Sequence, residues 1–195
     1  MVSLIQKNEI SKEINRRILL FETDISVERV AENSGQASIF FGSETSCGVQ
    51  VVCKQYTQAK IKGIFREIKI FTHLEQMKRL QQGNDLTEIV KYNNYHDGLP
   101  QLLSYKLKQE CGEILLANAG ASIDKWGVEL SKGEKMLFAF EMLRQLIPAL
   151  KKLHSLGYSH GDIKHENICV RSDSQNKLKF TLIDFGVSSK LPKLG

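Results

Sequence analysis

The sequence predicts an α+β chain in two parts: a five-stranded antiparallel sheet carrying one helix, then a mainly helical part. Three observations predict it. Short β-prone runs alternate with turn-rich segments between residues 25 and 56; two long stretches, 59–80 and 131–157, carry apolar residues at helical period; and a Gly/Ala/Asn connector at 117–120 divides them. On this reading residues 1–23 are a helical extension, 24–119 the sheet-bearing part with its connector, and 120–195 the helical part.

Each element has its own signal. Within residues 3–21, Ile10, Ile14 and Ile18 stand four apart with Leu4 and Phe21 nearby, the spacing of a short amphipathic helix. The runs "ISVERV", "ASIFFG" and "VQVVCKQY", split by "ENSG" and "SETSCG", have the pattern of a three-stranded meander. In "AKIKGIFREIKIFTHLEQMKRL", apolar residues recur at Ile61, Ile64, Phe65, Ile68, Phe71, Leu74 and Met77. That period predicts a helix of about five turns ending near "QQGND". "LPQLLSYKLK" and "GEILLANAG" add two strands, the second running into the connector. "SKGEKMLFAFEMLRQLIPALKKLHSLG" predicts a long apolar-faced helix, with Ser131 to Glu134 fitting a capping box and Gly157 at its stop. Pro148 inside it predicts a kink or a local break. "NICVR" and "LKFTLIDF" then form two short strands joined by the turn "SDSQN".

Composition narrows the function classes. With 195 residues, 42% of them hydrophobic, the chain can bury a real core. The balance of 27 Lys plus Arg against 22 Asp plus Glu gives +5, but the basic residues are scattered singly or in pairs such as Arg16-Arg17 and Lys151-Lys152. A solvated mixed surface, not a nucleic-acid surface, fits that distribution. Cys47, Cys53, Cys111 and Cys169 form no Cys-x-x-Cys pair and have no His at metal spacing, which points away from a zinc site and a disulfide framework and toward a reducing compartment. The start has no apolar h-region, and no stretch approaches the roughly 20 apolar residues that span a bilayer. A soluble, intracellular protein, cytoplasmic or nuclear, with no membrane or nucleic-acid partner is expected.

The chemistry lies in "HGDIKHEN", His160 to Asn167, and in "IDFG", Ile183 to Gly186, with seventeen positions from Asn167 to Asp184. A carboxylate, an ammonium and an amide at spacing 0, +2 and +5 on one loop can meet a nucleophile, a moving phosphoryl group and a metal together. A second carboxylate beside a strand end supplies the hard oxygen that Mg²⁺ prefers. This set suits phosphoryl transfer, where the protein positions a hydroxyl and neutralises phosphate charge.

On these motifs the chain resembles the eukaryotic protein kinase family. The resemblance implies a two-lobe fold, ATP and Mg²⁺ as cofactors and a protein hydroxyl as acceptor. Asp162 is then the catalytic base, Lys164 stabilises the transferred phosphate, and Asn167 and Asp184 hold Mg²⁺. Lysine two positions after that aspartate is similar to the Ser/Thr branch. "VVCK" occupies the place of the family's Val-Ala-Ile-Lys strand, so Lys54 reaches the α- and β-phosphates and pairs with Glu67 thirteen residues later. Glu67 lies near the apolar stripe between Ile64 and Phe71, which favours an inward role. "ILLANAGAS" resembles a fifth strand and hinge, with Leu116 near the gatekeeper position and Ala117, Asn118 and Ala119 offering backbone groups to adenine. "DGLPQLLSY" and "NAGASIDKW" are most similar to the casein kinase and vaccinia-related kinase group. His160 would pack on Phe185 together with Phe71. Trp126, His73, His96, His154 and His165 read as packing or surface groups.

The pattern departs from the family in four places. In "ENSGQASI" the glycine-rich loop is altered: Ser34 and Ala37 stand at two glycine positions, Gly35 lies one off, and Ile39 closes the motif. Val52 replaces the small residue over adenine. Gly161 replaces the arginine that gathers a phosphorylated activation loop, so control of that kind is not expected. Finally, the resemblance covers residues 24–191, about the first two thirds of such a domain. An incomplete second lobe with exposed apolar surface follows, implying a partner or a continuation of the chain to cover it. Two other readings stand beside a Ser/Thr kinase. One is a pseudokinase or nucleotide-binding regulatory module, favoured by the altered loop. The other is a small-molecule phosphotransferase of the aminoglycoside or choline kinase type, which "HGD" with "IDFG" also suits and Lys164 argues against.

Overall fold

The computed structural model describes residues 25–34, 37–44, 50–57, 61–82, 98–107 and 111–192. The helix expected at 3–21 lies outside these, as do Gly35, Cys47 and His96. The fold is α+β, and its contacts divide the chain into two compact units, Met1–Ile64 with Leu102–Asn118, and Phe65–Gln101 with Ala119–Gly195.

The first unit holds strands β1 (Ile25–Ser34), β2 (Ala37–Glu44), β3 (Gln50–Thr57), β4 (Leu102–Leu107) and β5 (Cys111–Ala117). They form one antiparallel five-stranded sheet in the order β1-β2-β3-β5-β4. Register decides which side chains share a face: Ile39 opposes Lys54, Phe41 opposes Val52, and across β5 Val52 opposes Leu116 and Lys54 opposes Ile114. Phe40, Val51, Cys53 and Leu115 line the other face and are also buried. Central strands buried on both faces explain why "ILLA" is an unbroken apolar run. Three residues of the expected turn "ENSG" belong instead to β1, which runs to Ser34. Register irregularities between Val27 and Arg29 and between Ala31 and Ser34 let this edge strand absorb them.

Helix α1 (Ile61–Gln82) has 22 residues, about six turns, and ends within "QQGND" as its sequence predicts. Its buried residues include Ile64, Glu67, Ile68, Ile70, Phe71 and Leu74, whereas Phe65, counted in the apolar pattern, is half exposed. A glutamate therefore occupies a core position of this helix.

The second unit is built on α2 (Lys132–Ser155) and two small sheets, with β6 (Ala121–Ser122), β8 (Ile168–Ser172) and β9 (Leu178–Leu182) in one and β7 (Tyr158–Ser159) and β10 (Ser189–Lys190) in the other. The capping box is present: Ser131 Oγ accepts the Glu134 N–H, and Glu134 Oε2 accepts the Ser131 N–H at 2.9 Å. The helix runs through Pro148 without a break; the ring lacks the N–H that would bond the Arg144 carbonyl. Trp126 stacks on Phe138 (4.9 Å between ring centroids), and Phe138 meets Phe180 edge-on at 4.9 Å. These rings border a core of Leu146, Ile168, Val170, Phe180 and Leu182, each side chain worth roughly 1.5–3 kcal/mol on burial.

The β8–β9 turn is closed by Asp173, whose Oδ1 accepts the Gln175 N–H at 2.8 Å and the Lys177 N–H at 2.9 Å. Gly120, at φ +97, lies so close to β8 that a Cβ would sit 2.1 Å from the Val170 carbonyl oxygen. That position of "NAGAS" admits no side chain.

Candidate active site

The end of α2 delivers the site. After Ser155 the chain turns through Gly157, whose N–H bonds the His154 carbonyl at 2.8 Å, and two residues of β7 lead straight into His160. His160 is buried. Its Nδ1 accepts the Asp162 N–H at 3.3 Å, so the proton of the neutral ring sits on Nε2 and is donated to the Ile183 carbonyl at 3.0 Å. Its ring meets Phe185 at 4.8 Å, and Phe185 meets Phe71 of α1 edge-on at 5.5 Å. One imidazole thus sets the His160–Asn167 loop against the Asp-Phe-Gly segment through both a hydrogen bond and a ring contact.

Asp162 is the hub of the loop. Its Oδ2 accepts from Lys164 Nζ at 2.9 Å and from Asn167 Nδ2 at 2.9 Å, and the same Nδ2 reaches the Asp162 carbonyl. The 0, +2 and +5 spacing closes on one carboxylate because the 3₁₀ turn His165–Asn167 swings Asn167 back toward Asp162. The hydrogen bond that Lys164 donates to Asp162 raises the pKa of its ammonium above the ordinary value, with charge from Asp162, Glu166 and Asp184 adding to the rise. Lys164 remains a cation among three carboxylates while staying half exposed.

Asn167 is buried, and its carbonyl accepts the Ile183 N–H at 2.8 Å, which pins the strand end carrying Asp184 to the loop. Asp184 has φ 68, a left-handed conformation uncommon for a residue with a Cβ. The next N–H, of Phe185, is taken by Glu67 Oε1 at 2.9 Å, and Arg66 donates to the Gly186 carbonyl. With its amide nitrogen turned to Asp162, Asn167 has Oδ1 as its only ligand atom for a cation. Together with the Asp184 carboxylate this is a hard-oxygen pair that fits Mg²⁺, which usually takes one or two protein oxygens and completes its shell with phosphate and water. Among the described residues no group of three or more His, Cys, Asp or Glu side chains could hold a metal.

Asp162, Lys164, Asn167 and Asp184 are therefore brought together within the second unit, which also holds Glu67 and Ala119. The remaining expected positions lie in the first unit. Ala37, Ile39, Val52, Lys54 and Leu116 fall on β2, β3 and β5, and Lys54, Ala37 and Leu116 are buried. The register of the sheet puts Ile39, Val52, Lys54 and Leu116 on one face. Ser34 ends β1 opposite Ala37. The Asn118 N–H bonds the Gln50 carbonyl at 2.9 Å, so that amide serves the sheet. On the opposite face, burial and then the Glu113 charge push the Cys53 thiol well above its ordinary range.

Sequence reasoning missed Arg66 and Ser188. Arg66 falls on the exposed side of the α1 pattern, and Ser188, whose hydroxyl donates to the His160 carbonyl at 3.0 Å, follows the motif without any period. His73 is a packing group, as expected; its Nδ1 lies 3.1 Å from the Tyr158 hydroxyl.

The protein kinase domain model matches residues 34–194. Probable serine/threonine-protein kinase fhkA of Dictyostelium discoideum is 31% identical over 161 residues, covering 80% of this chain and 25% of that protein. The chloroplastic serine/threonine-protein kinase STN8 of Arabidopsis thaliana is 25% identical over 184 residues, 92% of this chain and 32% of its own. A putative casein kinase I of Caenorhabditis elegans is 44% identical over 43 residues, 22% of this chain and 13% of its own. The chain spans a third or less of the length of each of these relatives. With the kinase model extending over most of its length and the loop and Asp-Phe-Gly residues gathered as described, the chain belongs to the protein kinase family.

Proposed function

We propose that the chain carries the nucleotide and phosphotransfer machinery of a Ser/Thr protein kinase that moves the ATP γ-phosphate to a protein hydroxyl. The observation that carries this reading is the convergence of Lys164 and Asn167 on Asp162 Oδ2, with the Asn167 carbonyl holding the strand end of Asp184. Asp162 orients the acceptor hydroxyl and takes its proton, and Lys164 neutralises the phosphoryl group as it moves. Asn167 and Asp184 would hold Mg²⁺ through their side-chain oxygens, and its charge would neutralise the phosphate charge that otherwise repels the attacking oxygen. Lys54 holds the α- and β-phosphates with Glu67 as its counter-charge. Ser34, Gly35, Ala37 and Ile39 form the loop over the phosphates, Val52 and Leu116 border adenine, and Asn118 and Ala119 form the hinge. Residues 24–119 act as the N-lobe with hinge and 120–195 as part of the C-lobe, with 1–23 as a helical extension.

The Ser/Thr relatives and Lys164 support the Ser/Thr branch, and the local likeness to a putative casein kinase I supports the casein kinase and vaccinia-related kinase group. Exposed Met136, Leu137, Phe140, Leu143 and Ile147 on α2 support a partner or a further segment of chain covering this lobe. No helix of the described residues is long and apolar enough to cross a membrane. A second reading, a pseudokinase that binds nucleotide without turnover, is favoured by Ser34 and Ala37 in place of loop glycines, since a Cβ hinders close approach of backbone N–H groups to phosphate. A small-molecule phosphotransferase is disfavoured by the Lys164 to Asp162 ion pair. Incubation with Mg²⁺ and labelled ATP, with casein and with small alcohols as acceptors, separates the three. Transfer to protein that vanishes in Asp162→Asn supports the kinase; nucleotide binding without transfer supports the second; transfer to alcohols alone supports the third.

A further inference from the structure

We propose that Arg66 is a positioning residue that holds the Asp-Phe-Gly segment so that Asp184 faces its metal; this rests on the phosphotransfer reading above. Asp184 sits at φ 68, and the segment that follows it includes a glycine, so the local backbone has little reason of its own to keep this geometry. The surrounding peptide groups show what keeps it. The Ile183 N–H is held by the Asn167 carbonyl, the Ile183 carbonyl by His160 Nε2, and the Phe185 carbonyl by the Ser188 N–H at 3.1 Å. The Gly186 N–H reaches Asp184 Oδ1 itself, at 3.4 Å. Two groups are held from α1 by consecutive residues: the Phe185 N–H by Glu67 and the Gly186 carbonyl by Arg66.

Those two bonds bracket the rotatable dihedrals of Phe185 and Gly186 between fixed ends on one helix. Glu67 is fully buried, whereas Arg66 is exposed and reaches in to a buried glycine. Its bond is charge-assisted, the stronger kind of contact to a carbonyl. Gly161, one residue before Asp162, carries no side chain that could take over this task, and a Cβ there would lie 3.0 Å from the Val187 carbonyl oxygen. Without Arg66 the Gly186 end is released while the Glu67 end stays, and the Gly186 N–H that reaches the Asp184 carboxylate loses its fixed direction.

The test compares Arg66→Ala and Arg66→Lys with Lys69→Ala, which removes an exposed cation one turn along the same helix. Two readouts are used: backbone hydrogen exchange over residues 183–189, and the Mg²⁺ concentration giving half-maximal phosphotransfer. Arg66→Ala should raise both about tenfold, the loss of one hydrogen bond to a charged group. Arg66→Lys should fall between, and Lys69→Ala should match the unsubstituted protein. A merely structural role would lower the amount of active protein, and so the maximal rate, without moving the Mg²⁺ midpoint. Unchanged exchange in Arg66→Ala overturns the latch, and faster exchange with an unchanged Mg²⁺ midpoint overturns its role toward Asp184. If the unsubstituted protein transfers no phosphate, the functional reading falls, and hydrogen exchange still decides whether Arg66 holds the segment.

Discussion

Replacing Gly161 by arginine, the residue the family usually carries before its catalytic aspartate, should destabilise this chain. Gly161 has φ +85, where a residue with a Cβ costs about 1–2 kcal/mol. The new Cβ would lie 3.0 Å from the Val187 carbonyl oxygen, tighter than nearly all real contacts, and crowding of this kind adds about 1–2 kcal/mol. The lower freedom of the unfolded chain returns about 0.4–1 kcal/mol. The net loss is about 1–3.6 kcal/mol, a fall of about 2–14 °C in melting midpoint for a chain of this size. Urea denaturation and thermal melting of Gly161→Arg and Gly161→Asn measure it, with Asn expected to lose less because it tolerates the left-handed region. Gly133→Ala is the control, since it lies in the first turn of α2 with nothing within 4 Å of its added Cβ, and it should stabilise by about 0.5–1 kcal/mol. Gly161→Arg as stable as the unsubstituted protein would refute the argument that this backbone excludes the family's arginine.

Other substitutions probe the supports of the site. Phe185→Ala removes a ring that is fully buried between Phe71 and His160 and should cost about 3–5 kcal/mol by chemical denaturation. Pro148→Ala restores a helix-interior N–H at an exposed position of α2 and should stabilise by about 1–3 kcal/mol in the same assay; a loss would mean that the proline shapes the helix usefully. The Arg144 hydrogen bond holds the Glu141 carboxyl down to about 2 against an ordinary 4.5, so the folded value lies below the unfolded one. Its contribution is present above pH 4.5 and lost as pH falls toward 2. Glu141→Gln should therefore flatten part of the acid-side decline in stability.

Most of the candidate site was legible because its chemistry is local. "HGDIKHEN" puts the carboxylate, ammonium and amide within one turn of chain, and Glu67 announced its inward position by falling within the apolar period of α1. The five-strand sheet and both long helices were legible for the same reason, each having a repeat that one face of the element imposes. The failures are residues whose role depends on partners distant in sequence. Arg66 is an ordinary exposed cation by pattern, and only the fold shows that it reaches Gly186, 120 positions away. Ser188 is similar. β6, β7 and β10 have two residues each, too few for any periodicity to register. "ENSG" has turn composition, yet an edge strand with irregular pairing absorbed three of its residues.

The proposed Mg²⁺-dependent transfer of the ATP γ-phosphate to a protein hydroxyl by Asp162 and its partners is tested by following labelled γ-phosphate into casein or the chain itself, comparing the unsubstituted protein with Asp162→Asn at matched folded concentration. The expected result is Mg²⁺-dependent labelling that falls at least about a hundredfold in the variant, the contribution of a positioned general base. A well-folded protein that labels nothing, or an Asp162→Asn variant that labels as fast as the unsubstituted chain, would contradict it.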